Sequence, residues 1–252
     1  MNRILVPIDF SDASANALIY ANDYALEKGM HLTLLYCYPR DDQNRMYDFG
    51  KEDYDDGIQN MLIEFYKIHI GGVRDKIKFL ARMGSVVDKL ILISSKYSLI
   101  IISGNPFNST FQRWIGSKSS GIASNAKCPV LIIPTIALYD TWVNIWHFKR
   151  KENESAVIKF WMEKENIDFS LVKVKTLKQN TFTSIIWESI VKYVHAPTEE
   201  TRQLILNENL SNKIDLIILV SHTTNSFQLF LNDAAIQIMF EFGIPVMICQ
   251  AK

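Results

Sequence analysis

The sequence predicts an α/β fold built as two tandem units, residues 1–137 and 138–252, each a doubly wound, mostly parallel five-stranded sheet, with the second copy degenerate. Three observations predict it. Short apolar runs alternate with helix-period segments along the first half, the pattern of parallel strands joined through helices. The closing part of that half has a counterpart 116 residues further on. A chain of 252 residues with 48% hydrophobic and 21% charged residues also suits two soluble units with cores of ordinary size.

Arg3 to Phe10 opens the first unit as a buried strand, since Ile4, Leu5, Val6 and Ile8 form one apolar run ending at Asp9 and Ser11. Ser11 or Asp12 caps the helix that follows. Ala13, Ala17, Leu18, Ala21, Tyr24 and Ala25 give that helix an apolar face, and Gly29 stops it. Leu32 to Tyr38 is the second strand, completing a βαβ unit. Arg40 to Gly57 carries Asp41, Asp42, Asp48, Glu52, Asp53, Asp55 and Asp56 and reads as a solvated loop; it lacks calcium-loop spacing and is assigned no chemistry. Next come a helix through Ile58, Met61, Leu62, Phe65 and Ile68 and a strand over Ile77 to Arg82. Ser85 with Asp88 caps a helix through Leu90, Leu92 and Ile93, and Leu99 to Ser103 is the fourth strand. Gly116 to Lys127 reads as helix and Pro129 to Pro134 as the last strand.

In the second unit Trp142 to Phe148, Phe169 to Leu177, Leu216 to Ser221 and Pro245 to Cys249 read as strands. Glu154 to Glu165, Thr183 to His195, Glu199 to Asn209 and Phe227 to Phe242 read as helices, with Pro197 as a breaker. A third strand has no evident place there. The repeat rests on Phe111-Gln112 against Phe227-Gln228 and Pro129-Val130 against Pro245-Val246, both 116 residues apart with no gap between them. Trp114 then meets Phe230, Ile115 meets Leu231, Ala123 meets Met239 and Ile132 meets Ile248. Upstream the second copy is shorter, since Ser103 to Phe111 spans eight steps and Ser221 to Phe227 spans six.

Charge and motif content exclude several function classes. Lysine plus arginine and aspartate plus glutamate both number 27, with 15 basic and 14 acidic residues up to Ile136 and 12 and 13 from Asp140 onward. Neither half has the basic excess of a nucleic-acid or membrane-surface binder. Cys37, Cys128 and Cys249 lie far apart, fitting neither a disulfide framework nor a zinc site, and read as small core hydrophobes. The start, Met-Asn-Arg-Ile-Leu-Val-Pro, lacks the charged lead and apolar stretch of a signal peptide, so a cytoplasmic protein is expected and the Asn108-Ser109-Thr110 sequon is set aside as chance. His31, His69, His147, His195 and His222 show no metal-binding spacing. Gly116-Ser117-Lys118-Ser119 is not a Walker loop, and a Gly-x-Ser-x-Gly elbow is absent. Trp142, Trp146, Trp161 and Trp187 fall at expected strand or helix positions of the second half and read as core or as an interface between halves.

Ligands of open parallel sheets sit beyond the carboxyl ends of the strands. There the first unit places Pro7, Ile8 and Asp9 after strand one, Cys37 at the end of strand two, and Ser103 and Gly104 at the end of strand four. Gly116, Ser117 and Lys118 open a helix whose backbone N–H groups can face an anion. Asp9 has a second reading, as a carboxylate that caps its own turn.

At these residues the chain resembles the universal stress protein family. The resemblance lies in Ile4-Leu5-Val6-Pro7-Ile8-Asp9-Phe10-Ser11 with its alanine-rich helix, and in Cys128-Pro129-Val130-Leu131-Ile132-Ile133-Pro134 at the last strand. It covers the first half well and the second weakly, and implies the adenine nucleotide alpha hydrolase-like fold in a tandem arrangement. It also implies that Asp9 faces a ribose or adenine, that Cys37 lies near the adenine and that the Gly116-Ser117 backbone meets phosphate. Nucleotide-binding members carry Gly, two residues, Gly, nine residues, then Gly with Ser or Thr. Here Gly104 is followed by Phe107 at the middle glycine position and only eight residues precede Gly116; counting back from Gly116 instead puts Ser103 and Pro106 at the two glycine positions. Asn232-Asp233 replace Gly116-Ser117 in the second copy, where an aspartate would repel phosphate.

The expected function is therefore that of a stress-response regulatory protein acting by dimerisation and protein interaction, without triphosphate binding. The alternative is a module binding AMP or ATP in the first unit; an ATP-hydrolysing enzyme ranks below both. The expected partners are the two halves for each other, a second copy as a homodimer and a protein partner, with no nucleic acid, membrane or metal. By the same resemblance, Val130 to Ile133 are expected to pair with Val246 to Cys249 across the halves.

Overall fold

In the computed structural model, which describes residues 2–39, 51–104, 121–123, 125–149, 153–164, 168–176, 214–221 and 242–251, the apolar runs become strands of a single nine-stranded sheet. In chain order they are β1 (Arg3–Pro7), β2 (His31–Tyr38), β3 (Ile77–Met83), β4 (Leu99–Gly104), β5 (Val130–Pro134), β6 (Ile145–Lys149), β7 (Val172–Thr176), β8 (Leu216–Ser221) and β9 (Val246–Gln250). Among the described residues the helices are α1 (Asp12–Glu27), α2 (Lys51–Ile70), α3 (Val86–Ile93) and α4 (Glu154–Lys164), with 3-10 turns at Ser94–Lys96 and Phe169–Leu171. Residues 121–123 and 125 are also helical. The expected helices at Thr183 to His195 and Glu199 to Asn209, and all but Phe242 of that at Phe227 to Phe242, lie outside the described residues.

Strand order across the sheet is β3-β2-β1-β4-β5-β9-β8-β6-β7. Neighbours are parallel throughout except at one seam, where β5 meets β9 antiparallel. Val130 pairs with Ile248, Leu131 with Met247 and Ile132 with Val246. These are the segments that correspond 116 residues apart in sequence, and the pairing is self-complementary about Leu131 and Met247, as in a two-fold interface. Outward from the seam the first side runs β5-β4-β1-β2-β3 and the second β9-β8-β6-β7. The orders match position for position until the place of β3, which has no counterpart among the described residues. The two units expected from sequence thus meet through the β5–β9 pairing that the family resemblance implied, as one continuous sheet.

Strands buried on both faces explain the unbroken apolar runs. On one face Ile4, Val6, Leu32 and Leu34 pack under α1 and α2 against Leu18, Ala21, Tyr24, Leu62 and Tyr66. That cluster extends past the seam to Ile145, Trp161, Leu216 and Met247. On the other face Leu5, Leu35 and Ile100 join Leu90 of α3, and continue through Val130 and Ile132 to Ile217, Val246 and Ile248. Ser11 caps α1 by accepting from the Ser14 N–H at 3.2 Å, and Ser85 caps α3 by accepting from the Asp88 N–H at 3.4 Å. Gly29 takes the left-handed conformation (φ 63°) that ends α1.

Two local expectations are corrected. The acidic stretch does not remain a loop up to Gly57: α2 begins at Lys51, and carboxylates near a helix amino terminus complement its dipole. Asp55 of that first part accepts a hydrogen bond from the Tyr38 hydroxyl at 2.6 Å. Trp142 is not a strand residue, since β6 starts at Ile145. Instead it fixes the connector to α1. Its Nε1–H donates to the Tyr20 hydroxyl at 2.9 Å, and its ring stacks on Tyr24 with centroids 4.8 Å apart. Tyr139 and Thr141 donate to the Glu27 carboxylate at 2.6 and 3.0 Å, and Asn16 donates to the Pro134 carbonyl at 2.9 Å. Burial opposes ionisation of Glu27, but hydrogen bonds from Tyr139, Lys28 and Thr141 outweigh it and hold the carboxyl below its ordinary value. At the far end of the connector, Asp215 accepts from the Val143 and Asn144 N–H groups at 3.1 and 2.9 Å.

Candidate functional site

The carboxyl edge of the first five strands is where a ligand would enter this sheet. β1 pairs with β2 through Pro7 and Leu35, and the Ile8 N–H continues onto the Leu35 carbonyl at 2.8 Å. β1 also pairs with β4 through Leu5 and Ile100, so Pro7 to Asp9 leave the sheet beside the end of β4 at Ser103 and Gly104.

Chain direction then changes at one residue. Phe10 has φ 63°, a left-handed conformation that costs a side-chain-bearing residue strain. The strain is offset by packing: the Phe10 ring lies 4.9 Å from Tyr36 and edge-on to Phe65 at 5.4 Å. This turn leaves Asp9 exposed at the edge, and nothing in the residue type of Phe10 announced it.

Asp9 Oδ1 accepts from the Ser11 hydroxyl at 2.5 Å and the Ser11 N–H at 3.1 Å. Partial burial works against its charge, yet the Ser11 hydrogen bonds prevail and hold the carboxyl below the usual range. Asp9 is therefore an anion at neutral pH, engaged in the turn that leads into α1. Ser11, rather than Asp9, is the cap.

The strand pleat divides the other candidates between two faces. Ile8 is buried in the α1 side of the core, so its side chain is a packing element. Cys37 packs on the opposite side, beneath α3. Burial pushes its thiol up to about 11, against the pull of Lys89 and Arg82, so it is neither a thiolate nor a nucleophile at neutral pH. Cys128 and Cys249 are fully buried, in keeping with the core role expected of them, whereas Cys37 is half-buried. Gly104 is buried at the end of β4, opposite Pro134. Gly116, Ser117 and Lys118, with Phe107, lie outside the described residues.

On the far side of the seam, β6 and α4 hold the place that β1 and α1 hold in the first half. A buried pair sits there. His147 Nδ1 is 3.1 Å from the Ile218 carbonyl and Nε2 is 3.6 Å from Glu154 Oε2, with both side chains fully buried. Sequence spacing missed this pair because the two residues stand seven apart, one on β6 and one opening α4, and match no ligand motif. Among the described residues no three His, Cys, Asp or Glu side chains cluster as a metal site, and no helix is long and apolar enough to cross a membrane.

Comparison with known proteins matches this geometry to one family. No curated protein matches the chain. Among solved structures it is similar to a universal stress protein from Archaeoglobus fulgidus DSM 4304, at 15% identity and a TM-score of 0.65, covering 99% of this chain and 98% of that one. It is also similar to a universal stress protein in complex with cAMP, at 22% identity and a TM-score of 0.40, over 53% of this chain and 97% of that one. A universal stress protein from Lactobacillus plantarum gives 18% identity and a TM-score of 0.40, over 52% and 96%. The first of these shows the same fold along the whole chain. A model of the universal stress protein family matches residues 1–134, more than half of the sequence, and the chain belongs to that family.

Proposed function

We propose that this chain is a two-unit stress-response regulator that acts through self-association and contact with a protein partner, without nucleoside triphosphate binding at the Asp9 edge and without catalysis. The seam carries the reading. β5 and β9 complete each other's edges within one chain, and the strand order outward from them repeats. Ile136, Leu138 and Val143 of the adjoining connector expose apolar side chains, a feature that suits protein contact. Against triphosphate binding stand Phe107 at the middle glycine position, the engagement of Asp9 by Ser11, and Asn232-Asp233 in place of Gly116-Ser117 in the second copy. Three free cysteines suit a reducing cytoplasm.

One observation favours the second reading, AMP or ATP in the first half. Phe10 holds a strained turn that presents an ionised, exposed Asp9 beside Gly104, and strain of this kind concentrates at ligand sites. Thermal unfolding with ATP, ADP and AMP separates the two, because a ligand of the folded state raises stability by mass action. We expect no shift of the melting temperature at millimolar AMP or ADP. A shift that Asp9→Ala abolishes would replace the first reading with the second, and phosphate release above a protein-free control would refute the absence of catalysis. Sedimentation of the full chain tests self-association.

A further inference from the structure

The balanced charge count hides a concentrated patch. Strand register sets Arg3 beside His31, Thr33 beside Lys78, Leu35 beside Leu80 and Cys37 beside Arg82, all on the face that α3 covers. With eight residues α3 is only about 12 Å long, while β2 from His31 to Cys37 runs about 20 Å. The uncovered part of this face is a groove of about 470 Å³. Arg3, Lys76, Lys78, Arg82, Lys89 and Lys96 line it, against the single carboxylate of Asp75.

All six cations are exposed except Lys89, which is half-buried. Among the described residues none of the six is in an ion pair. Lys76 and Arg82 donate to the neutral carbonyls of Gly29 and Ala81, at 3.2 and 2.7 Å. Their charge is thus uncompensated, and a groove lined by one sign of charge focuses its field on an incoming anion. Protection of an exposed sheet edge accounts for Lys78 and Arg82 on β3. It does not account for Arg3 on the interior strand β1, nor for Lys89 and Lys96 on and after α3, which face the same space.

We propose that this groove binds a linear polyphosphate anion. Its cations are spread along the strand direction rather than gathered at one point, which fits charge repeated along a chain. Tyr97 is the one tyrosine, phenylalanine or tryptophan side chain lining it, so it lacks the series of rings on which the bases of a nucleic acid stack. The floor is formed by side chains of paired strands, including buried Thr33, so a ligand lying on it meets side chains rather than backbone, and the open edge of β3 lies only at its margin, guarded by Lys78 and Arg82.

The test is calorimetric titration of the full chain at low salt with inorganic tripolyphosphate and a longer polyphosphate, with poly-uridylate RNA and poly-glutamate as comparisons. Both phosphate chains should bind, the longer more tightly, with affinity falling at least about tenfold between roughly 50 and 200 mM salt. Lys78→Glu with Lys96→Glu, both at exposed positions, should weaken binding by at least about tenfold at an unchanged melting temperature. Lys78→Gln with Arg3→Gln repeats the test without reversed charge. Asp9→Ala should leave binding intact, so a stabilisation by ATP that survives Asp9→Ala and disappears in the Lys78 and Lys96 variant belongs to this groove. Absence of phosphate-chain binding at low salt, equal affinity in both charge variants, or tighter binding of RNA or poly-glutamate would overturn the proposal.

Discussion

Asp9, Phe10 and Ser11 show how much one turn can ask of three residues. The motif marked Asp9 as a candidate because of where it stands, but its conformation depends on Phe10, whose left-handed backbone is held by Tyr36 and Phe65 from β2 and α2. Those contacts lie 26 and 55 residues away, and no local propensity reports them. The Ser11 hydrogen bonds have a consequence in pH. A carboxylate whose folded pKa is depressed contributes stability that is fully present above its unfolded value, about 4, and is lost as pH falls through the lower folded value. Asp9 and Glu27 both belong to this class. We expect Asp9→Asn with Glu27→Gln to flatten the fall in stability below about pH 4, measured as urea midpoints across that range. A fall as steep as in the parent chain would place the acid sensitivity elsewhere.

Among elements, the strands were the most legible, because a doubly buried strand leaves a short apolar run that little else produces. β8 matches its expected bounds, and the others shift by a few residues at their ends. Capping at Ser11 and Ser85 was equally readable, since it rests on a local hydrogen bond. The start of α2 was not, because acidic residues suit both a solvated loop and a helix amino terminus. The connector was the least legible element. It has no regular structure, and it is ordered by aromatic contacts with α1 that span more than a hundred residues of sequence. Trp142→Ala removes the ring at 4% exposure together with its hydrogen bond to Tyr20, and should cost about 3–5 kcal/mol by urea unfolding. Trp142→Phe keeps the stack on Tyr24 and should cost less. Equal stability of all three chains would show that the connector contributes nothing.

At the scale of the molecule, both core layers run across the seam, so the two sides share their buried side chains rather than merely touching. We therefore expect one cooperative thermal transition, with calorimetric and van't Hoff enthalpies in agreement. Two resolved transitions would mean that the sides fold independently. The repeated strand order also sharpens what the 116-residue correspondence could reveal. It located β5 and β9, the family resemblance supplied the expectation that they pair, and the structure shows the antiparallel register in which they do. Because the seam joins strands of one polypeptide, its formation is a first-order event. The partner edge is present at an effective concentration fixed by the chain between them, so the sheet stays closed at dilutions where two separate subunits would part. A substitution also falls once in such a molecule, whereas a symmetric pair would carry it twice. One side can therefore lose a function while the other keeps it, as Asn232-Asp233 in place of Gly116-Ser117 illustrates.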